Sequence, residues 1–139
     1  MPTPFIPETN MVLLKSWANS ISAYYYAPVF LGGSTLNKEN YRDVDIFAII
    51  LDRHFRIRFG DVEDWEKEAS TGLYTNVRWS WVRECCKRWE EGSCKTGLNL
   101  DFKIQPKSFA TNRYGEHETF RLDTNPYTWI EQGNYKVKV

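Results

Sequence analysis

Val29 to Leu51, VFLGGSTLNKENYRDVDIFAIIL, contains two apolar runs separated by a glycine pair and a polar segment. The runs predict a short strand from Val29 to Leu31 and a longer strand from about Asp43 to Leu51. Gly32 and Gly33 follow the first strand, where glycine lets the backbone turn without a clash at Cβ. We therefore expect a fold built outward from two strands that are joined through a glycine turn.

Two aspartates, Asp43 and Asp45, open the second run one residue apart. Side chains alternate along a strand, so both carboxylates point to one face while Val44 and Ile46 point to the other. Two carboxylates this close repel each other unless a proton or a cation neutralises them, and hard divalent cations prefer oxygen ligands. The pair therefore indicates a metal site.

A third strand is predicted from Leu98 to Ile104, LNLDFKI, because apolar and polar residues alternate along it. Asp101 then lies in mid-strand on the polar face, together with Asn99 and Lys103. A carboxylate at such a position needs a partner. Two alternatives stay open for Asp101: a metal shared with the aspartates of the neighbouring strand, or a salt bridge to Lys103 or an arginine.

Helical spacing of apolar residues predicts three helices. They run from a cap at Thr9 or Asn10 to Tyr25, from Asp61 to Ser70, and from Asn76 to Glu90. We expect Gly92 to stop the last helix, and Cys85 and Trp89 to lie in the core. The segment His54 to Phe59 alternates basic and apolar residues and is interpreted as a strand or hairpin arm. Lys107 to His117 is interpreted as a loop.

The bulk composition narrows the class of protein. A chain of 139 residues is the length of one domain, so we expect a single domain over residues 1–139 with room for one site. Lysine plus arginine and aspartate plus glutamate number 18 each, so no overall charge attracts nucleic acid or an anionic membrane. No apolar run approaches the roughly 20 residues that cross a bilayer, and the N-terminus lacks a basic leader.

The three cysteines fit neither a CxxC motif nor a zinc-finger spacing. Two of them, Cys85 and Cys86, are adjacent, and the third is Cys94. An odd number of cysteines without a metal spacing indicates a reduced setting. Together with the missing leader, this predicts a soluble cytoplasmic protein.

Gly33-Ser34, the motif Asp43-x-Asp45 nine residues beyond the serine, and the later Asp101 resemble the nucleotidyltransferase superfamily of the DNA polymerase β type. That family combines a hydrophobic strand, Gly-Ser, an Asp-x-Asp followed by apolar residues, and a third carboxylate on a later strand. The resemblance covers roughly Val29 to Ile104. Short single-domain members are similar, including minimal nucleotidyltransferases found as antitoxins beside partner toxins.

The resemblance implies an α+β fold in which a mixed β-sheet carries helices mainly on one face. It implies that Asp43, Asp45 and Asp101 are the catalytic residues and hold two Mg²⁺ ions, and that Gly33 and Ser34 cradle the phosphates of an NTP, expected to be ATP. Asp101 would help to deprotonate the acceptor hydroxyl. Two metal ions would stabilise the attacking and leaving oxygens at the α-phosphate, with pyrophosphate as the leaving group.

This chain departs from many small members of the family, which have an arginine shortly after the serine and a serine before the first aspartate. Here Thr35-Leu36 and Arg42 stand at those positions, so we assign the triphosphate contacts to Lys38, Arg42 or Lys103. Larger members add a helical domain that binds the acceptor. In this chain we expect acceptor binding to use the 105–139 segment, a second copy of the chain, or another protein.

Three functional hypotheses follow. The first is a metal-dependent nucleotidyltransferase that moves a nucleoside monophosphate onto a hydroxyl of a small molecule, a protein or a nucleic acid. The second is a protein of the same fold without turnover, acting as a binding or antitoxin-like interaction module. The third is a general α/β domain whose three aspartates are structural. The complete set of three acids favours the first hypothesis.

Overall fold

The structure is a computed structural model, and it describes residues 4–33, 43–114 and 119–130, with the backbone alone for 111–114. The elements in chain order are α1 (Glu8–Tyr25), β1 (Val29–Gly32), β2 (Val44–Ile50), α2 (Asp52–Arg58), α3 (Val62–Thr71), α4 (Asn76–Thr96), β3 (Leu100–Pro106), α5 (Lys107–Tyr114) and β4 (Phe120–Arg121). This composition confirms the predicted α+β class.

The described strands form one mixed sheet in the order β3-β2-β1-β4. β1 pairs antiparallel with β2 and with β4, whereas β2 and β3 pair in parallel. Parallel neighbours need a long crossover connection, and α2, α3 and α4 supply it between β2 and β3. Within the described residues, none of the helices combines the length and the apolar character that crossing a bilayer requires.

The main core lies on one face of the sheet, beneath α1 and α4. The alternate strand residues on this face are fully or almost fully buried: Val44, Ile46, Ala48 and Ile50 from β2, with Leu100, Phe102 and Ile104 from β3. A smaller cluster covers part of the opposite face, built from Phe30, Ile49, Leu51, Ala110 and Trp129. The helices therefore pack mainly on one face, as predicted, and the start of β2 and β3 remains more open on the other.

Two predicted segments are helices instead. The strand or hairpin arm predicted from His54 to Phe59 is wrong, because Asp52–Arg58 forms α2. Phe55 and Phe59 are one helical turn apart and stack with ring centroids 5.0 Å apart, which buries both. The predicted loop from Lys107 is also wrong, because α5 begins there, and the Ser108 backbone N–H donates to the Asp52 carboxylate at 3.0 Å. Residues 115–117 of that segment lie outside the described residues.

The end of α4 differs from its prediction. The helix passes through Gly92 and ends at Gly97, which has a φ of 71°. Gly92 is buried because the side chains of Trp17 and Leu100 occupy the space that a Cβ would take. Cys85 lies in the core as predicted, but the prediction for Trp89 is wrong, since 38% of this residue is exposed.

Candidate functional site

Asp45 and Asp101 lie side by side on the two parallel strands. Each is the second residue of its strand, and the two are register partners. Register partners on neighbouring strands point their side chains to the same face, and here that face is opposite the main core. Asp45 is half-buried, and 44% of the Asp101 side chain is exposed. The structure thus brings together two of the three predicted acids.

Asp43 lies just before β2, next to the residue that precedes β3. The side-chain amide of Asn99 donates a hydrogen bond to Asp43 Oδ1 at 2.7 Å. This bond joins the starts of the two parallel strands and holds the third predicted acid beside the pair. Asn99 was not predicted as a site residue, although its place on the polar face of β3 with Asp101 was a signal for it.

The acids affect one another electrostatically. Burial raises the pKa of Asp45, and the charges of Asp101 and Asp43 raise it further, while the ammonium of Lys103 lowers it. Lys103 Nζ lies 3.8 Å from Asp101 Oδ2, so the salt bridge considered for Asp101 is present. Because both side chains are nearly half exposed, water screens this ion pair and it contributes little to stability.

Gly33 packs directly against Asp45, one of the two paired acids. Gly33 has a φ of 72°, and a Cβ at this position would overlap with the Asp45 carboxylate. Gly32, the residue before it, is the register partner of Asp45 in the antiparallel pair. Because glycine has no Cβ, the backbone can approach the carboxylate closely here without strain. Three of the predicted binding residues, Ser34, Lys38 and Arg42, lie outside the described residues.

The donors at this site are chemically suited to a magnesium ion. Asp43, Asp45 and Asp101 offer carboxylate oxygens, which Mg²⁺ prefers. The pKa of Asp45 is raised first by burial and then by the charges of Asp101 and Asp43, and a bound cation would offset that negative charge. The described side chains of histidine, cysteine, aspartate and glutamate form no group of three close enough to hold a metal. The donor chemistry fits the ion, and the carboxylates would have to draw together to bind it.

A groove of about 370 Å³ runs from Asp43 and Asp101 along the outer edge of β3. β3 is the outermost of the described strands on this side of the sheet, and α4 forms the other wall of the groove. The residues that line it include Asp43, Asn99, Asp101 and Lys103 on the strand side and Trp81, Cys85 and Trp89 on the helix side. A ligand held at the aspartates therefore has room to extend along β3.

Comparison of the chain with protein-family models, with curated proteins and with solved structures gives no match.

Proposed function

We propose that this protein is a metal-dependent nucleotidyltransferase that transfers a nucleoside monophosphate from an NTP, expected to be ATP, to a hydroxyl acceptor with release of pyrophosphate. The acceptor is a hydroxyl of a small molecule, a protein or a nucleic acid. We place the reaction in the cytoplasm, away from membranes, with a second copy or a partner protein as a possible contributor to acceptor binding.

The observation that supports the proposal is the pairing of Asp45 with Asp101, with Gly33 packed against Asp45. Two acids on adjacent parallel strands face the same side of the sheet, and a third acid is held beside them through Asn99. Backbone N–H groups beside such acids can hold a phosphate whose charge a cation also neutralises.

Each residue then has a role. Asp43, Asp45 and Asp101 would hold Mg²⁺, which polarises the phosphate and offsets the charge that develops on its oxygens. Gly33 would let the backbone approach the phosphates without a side chain in between. Asp101 would accept the proton of the acceptor hydroxyl, and Lys103 would stabilise negative charge on the triphosphate.

One observation favours the second hypothesis, a binding module without turnover. The Lys103 ammonium lies 3.8 Å from Asp101 and already offsets part of its charge. In a binding module this lysine would replace a metal ion at Asp101, and nucleotide binding would need no second ion. An active enzyme requires the lysine to release Asp101 when the nucleotide binds.

Calorimetric titration with a non-hydrolysable ATP analogue, with and without Mg²⁺, tests the site. We expect Mg²⁺ to tighten binding by the wild-type protein, and not by the double variant Asp43→Asn with Asp45→Asn. Asp64→Asn serves as the control, because Asp64 is an exposed acid on α3, remote in sequence from the site. An equal effect of Mg²⁺ on the double variant would show that the aspartates do not hold the metal.

Release of pyrophosphate from ATP separates the enzyme from the binding module. We expect release that depends on Mg²⁺ and on candidate acceptors and is lost in Asp101→Asn. Metal-dependent nucleotide binding without any pyrophosphate, across acceptors of the three classes, would favour the binding module.

A further inference from the structure

A second cavity, also of about 370 Å³, lies farther along β3, where the strand meets α3, α4 and α5. Its lining includes Trp65, Arg78, Trp81, Lys103, Gln105 and Phe109. Trp81 and Lys103 line the groove of the aspartates as well, so the two cavities adjoin. Its volume falls in the range of small-molecule sites.

Aromatic rings form the walls of this cavity. The ring centroid of Trp65 lies 5.2 Å from that of Trp81 and 5.1 Å from that of Phe109. The Trp81 indole N–H donates to the Ile104 carbonyl at 2.6 Å, which fixes the orientation of that wall. Aromatic walls held in one orientation favour a ligand with a planar ring, because any planar aromatic ring can stack on them.

Polar atoms without partners occur among the same lining residues. Gln105 is only 2% exposed, and its Oε1 accepts no hydrogen bond. Arg78 Nε and Trp65 Nε1 are also buried without a partner. Most buried polar atoms in proteins are paired, so one unpaired acceptor and two unpaired donors around one cavity require an explanation.

The guanidinium of Arg78 is held in place by other contacts. It lies over the rings of Trp65 and Trp81, at 4.9 and 4.3 Å from the ring centroids, and Nη1 donates to the Trp65 carbonyl at 3.1 Å. Within the described residues, no carboxylate lies within salt-bridge distance of Arg78. A preoriented guanidinium of this kind suits a ligand with hydrogen-bond acceptors.

We propose that this cavity binds a nucleobase, a planar heterocycle that carries both donors and acceptors on its edge. Gln105 Oε1 would accept from a base N–H, and the Arg78 guanidinium would donate to a base nitrogen or carbonyl. At about 3.3 Å per residue, Gln105 lies about 13 Å along β3 from Asp101, with Lys103 between them. This distance is comparable to the length of an extended nucleoside triphosphate. The assignment of a nucleobase as the ligand therefore rests on the proposed function, in which the aspartates hold the phosphates of the same molecule.

The test uses nucleosides, which lack phosphates, in the presence of EDTA, so that the aspartates and their metal take no part. We expect at least one of adenosine, guanosine, cytidine and uridine to bind the wild-type chain in a calorimetric titration. Gln105→Leu removes the unpaired carbonyl at similar size and should weaken that binding about tenfold. Its melting temperature should stay level or rise, because a buried atom without a partner is lost.

Two further variants keep the outcome decisive. Arg78→Lys retains the positive charge but loses Nε and the planar fork, and it should weaken nucleoside binding even if Gln105→Leu does not fold. Asp43→Asn with Asp45→Asn should bind the nucleoside like the wild type, so a failure of the metal site is distinguishable from a failure of this cavity. No binding of any nucleoside at millimolar concentration, or unchanged binding by folded Gln105→Leu and Arg78→Lys, would overturn the proposal.

The base has two possible sources, the NTP or the end of a nucleic-acid acceptor. Titrating the bound nucleoside with the Mg²⁺ complex of a non-hydrolysable NTP separates them. Competition assigns the cavity to the base of the NTP, whereas simultaneous binding assigns it to the acceptor. Either result supports a nucleobase site.

Discussion

Asp45 and Asp101 are register partners on two neighbouring parallel strands, so two acidic side chains lie side by side on one face of the sheet. Burial raises the pKa of Asp45, and the charge of Asp101 raises it further. Folding therefore favours the protonated form of this carboxyl. Protonation of Asp45 therefore stabilises the folded state. This contribution is fully present below the ordinary aspartate pKa of about 3.9 and is lost as the pH rises through the raised pKa of the folded protein.

Asp45→Asn should therefore raise the melting temperature of the metal-free protein at neutral pH, because it removes a half-buried charge and its repulsion by Asp101. Above pH 4 the difference from the wild type should grow until Asp45 is fully ionised. Mg²⁺ should stabilise the wild type and leave the variant unchanged. Thermal scans over a pH series with EDTA or Mg²⁺ measure these effects. A lower melting temperature of Asp45→Asn at pH 7 in EDTA would contradict the assigned repulsion.

Gly33→Ala and Gly72→Ala form a matched pair, because both glycines have a φ of 72°. Alanine in this left-handed conformation costs about 1–2 kcal/mol at either position. Gly72 has no atom near its missing Cβ, whereas at Gly33 the new methyl group meets the Asp45 carboxylate. We expect Gly33→Ala to lose about 1–3 kcal/mol more than Gly72→Ala in urea unfolding.

A double variant checks the cause of that difference. In an Asp45→Ala background, Gly33→Ala should cost no more than Gly72→Ala, since the overlapping carboxylate is gone. Equal costs of the two glycine substitutions in the wild-type background would mean that the turn does not press on the acid.

The strands and the positions of their acids could be predicted from the sequence because apolar and polar residues alternate regularly along them. Alternation in β2 and β3 places Asp45 and Asp101 on the face opposite the buried residues, and Gly33 marks the turn. The register between the strands was not accessible, since no local pattern states which aspartate faces Asp101. The long groove along β3 also depends on how α4 packs, which is a tertiary property.

The segment that became α2 shows how a local pattern misleads. Phe55, Ile57 and Phe59 alternate with basic residues, which matches a strand, but Phe55 and Phe59 also match the spacing of one helical turn. The two interpretations differ at Ile57, which a strand would bury with its neighbours and which is 83% exposed in the helix. Phe55 packs against Trp65, with the two ring centroids 5.2 Å apart, and this tertiary contact favours the helix.

Gly92→Ala tests whether the glycine within α4 is required by packing. Alanine is favoured over glycine in a helix interior by about 1 kcal/mol. Here its methyl group would lie 2.6 Å from Trp17 Cζ2 and 2.7 Å from Leu100 Cδ1, both in the core. Such overpacking costs about 1–3 kcal/mol, so we expect a net loss of stability in urea unfolding. Cys94→Ala, at an exposed position of the same helix, should change stability by less than about 0.5 kcal/mol.

The three cysteines should react at different rates with a thiol reagent. Cys85 is buried, which raises the pKa of its thiol to about 12 and suppresses the reactive thiolate. Cys86 and Cys94 are exposed. Mass spectrometry after brief treatment with iodoacetamide at pH 8 should find both of them modified, and Cys85 only after denaturation. Modification of Cys85 in the native protein at the rate of Cys86 would disagree with its burial.

Asp123 should be the acid on which stability depends most among the described residues. It is 5% exposed and its carboxylate accepts hydrogen bonds from the Val29 backbone N–H at 2.8 Å and from Ser22 Oγ at 3.2 Å, besides its ion pair with Arg121 at 3.0 Å. These contacts join α1, β1 and β4. Asp123→Ala should cost about 3–5 kcal/mol, because it leaves several buried donors without an acceptor.

Asp61→Ala provides the comparison for Asp123→Ala in the same urea unfolding experiment. Asp61 is exposed and caps α3 by accepting from the backbone N–H groups of Glu63 and Asp64. Loss of such a cap costs about 0.5–2 kcal/mol. Asp123→Ala should therefore cost more stability than Asp61→Ala, and similar losses for the two variants would mean that water replaces the contacts of Asp123.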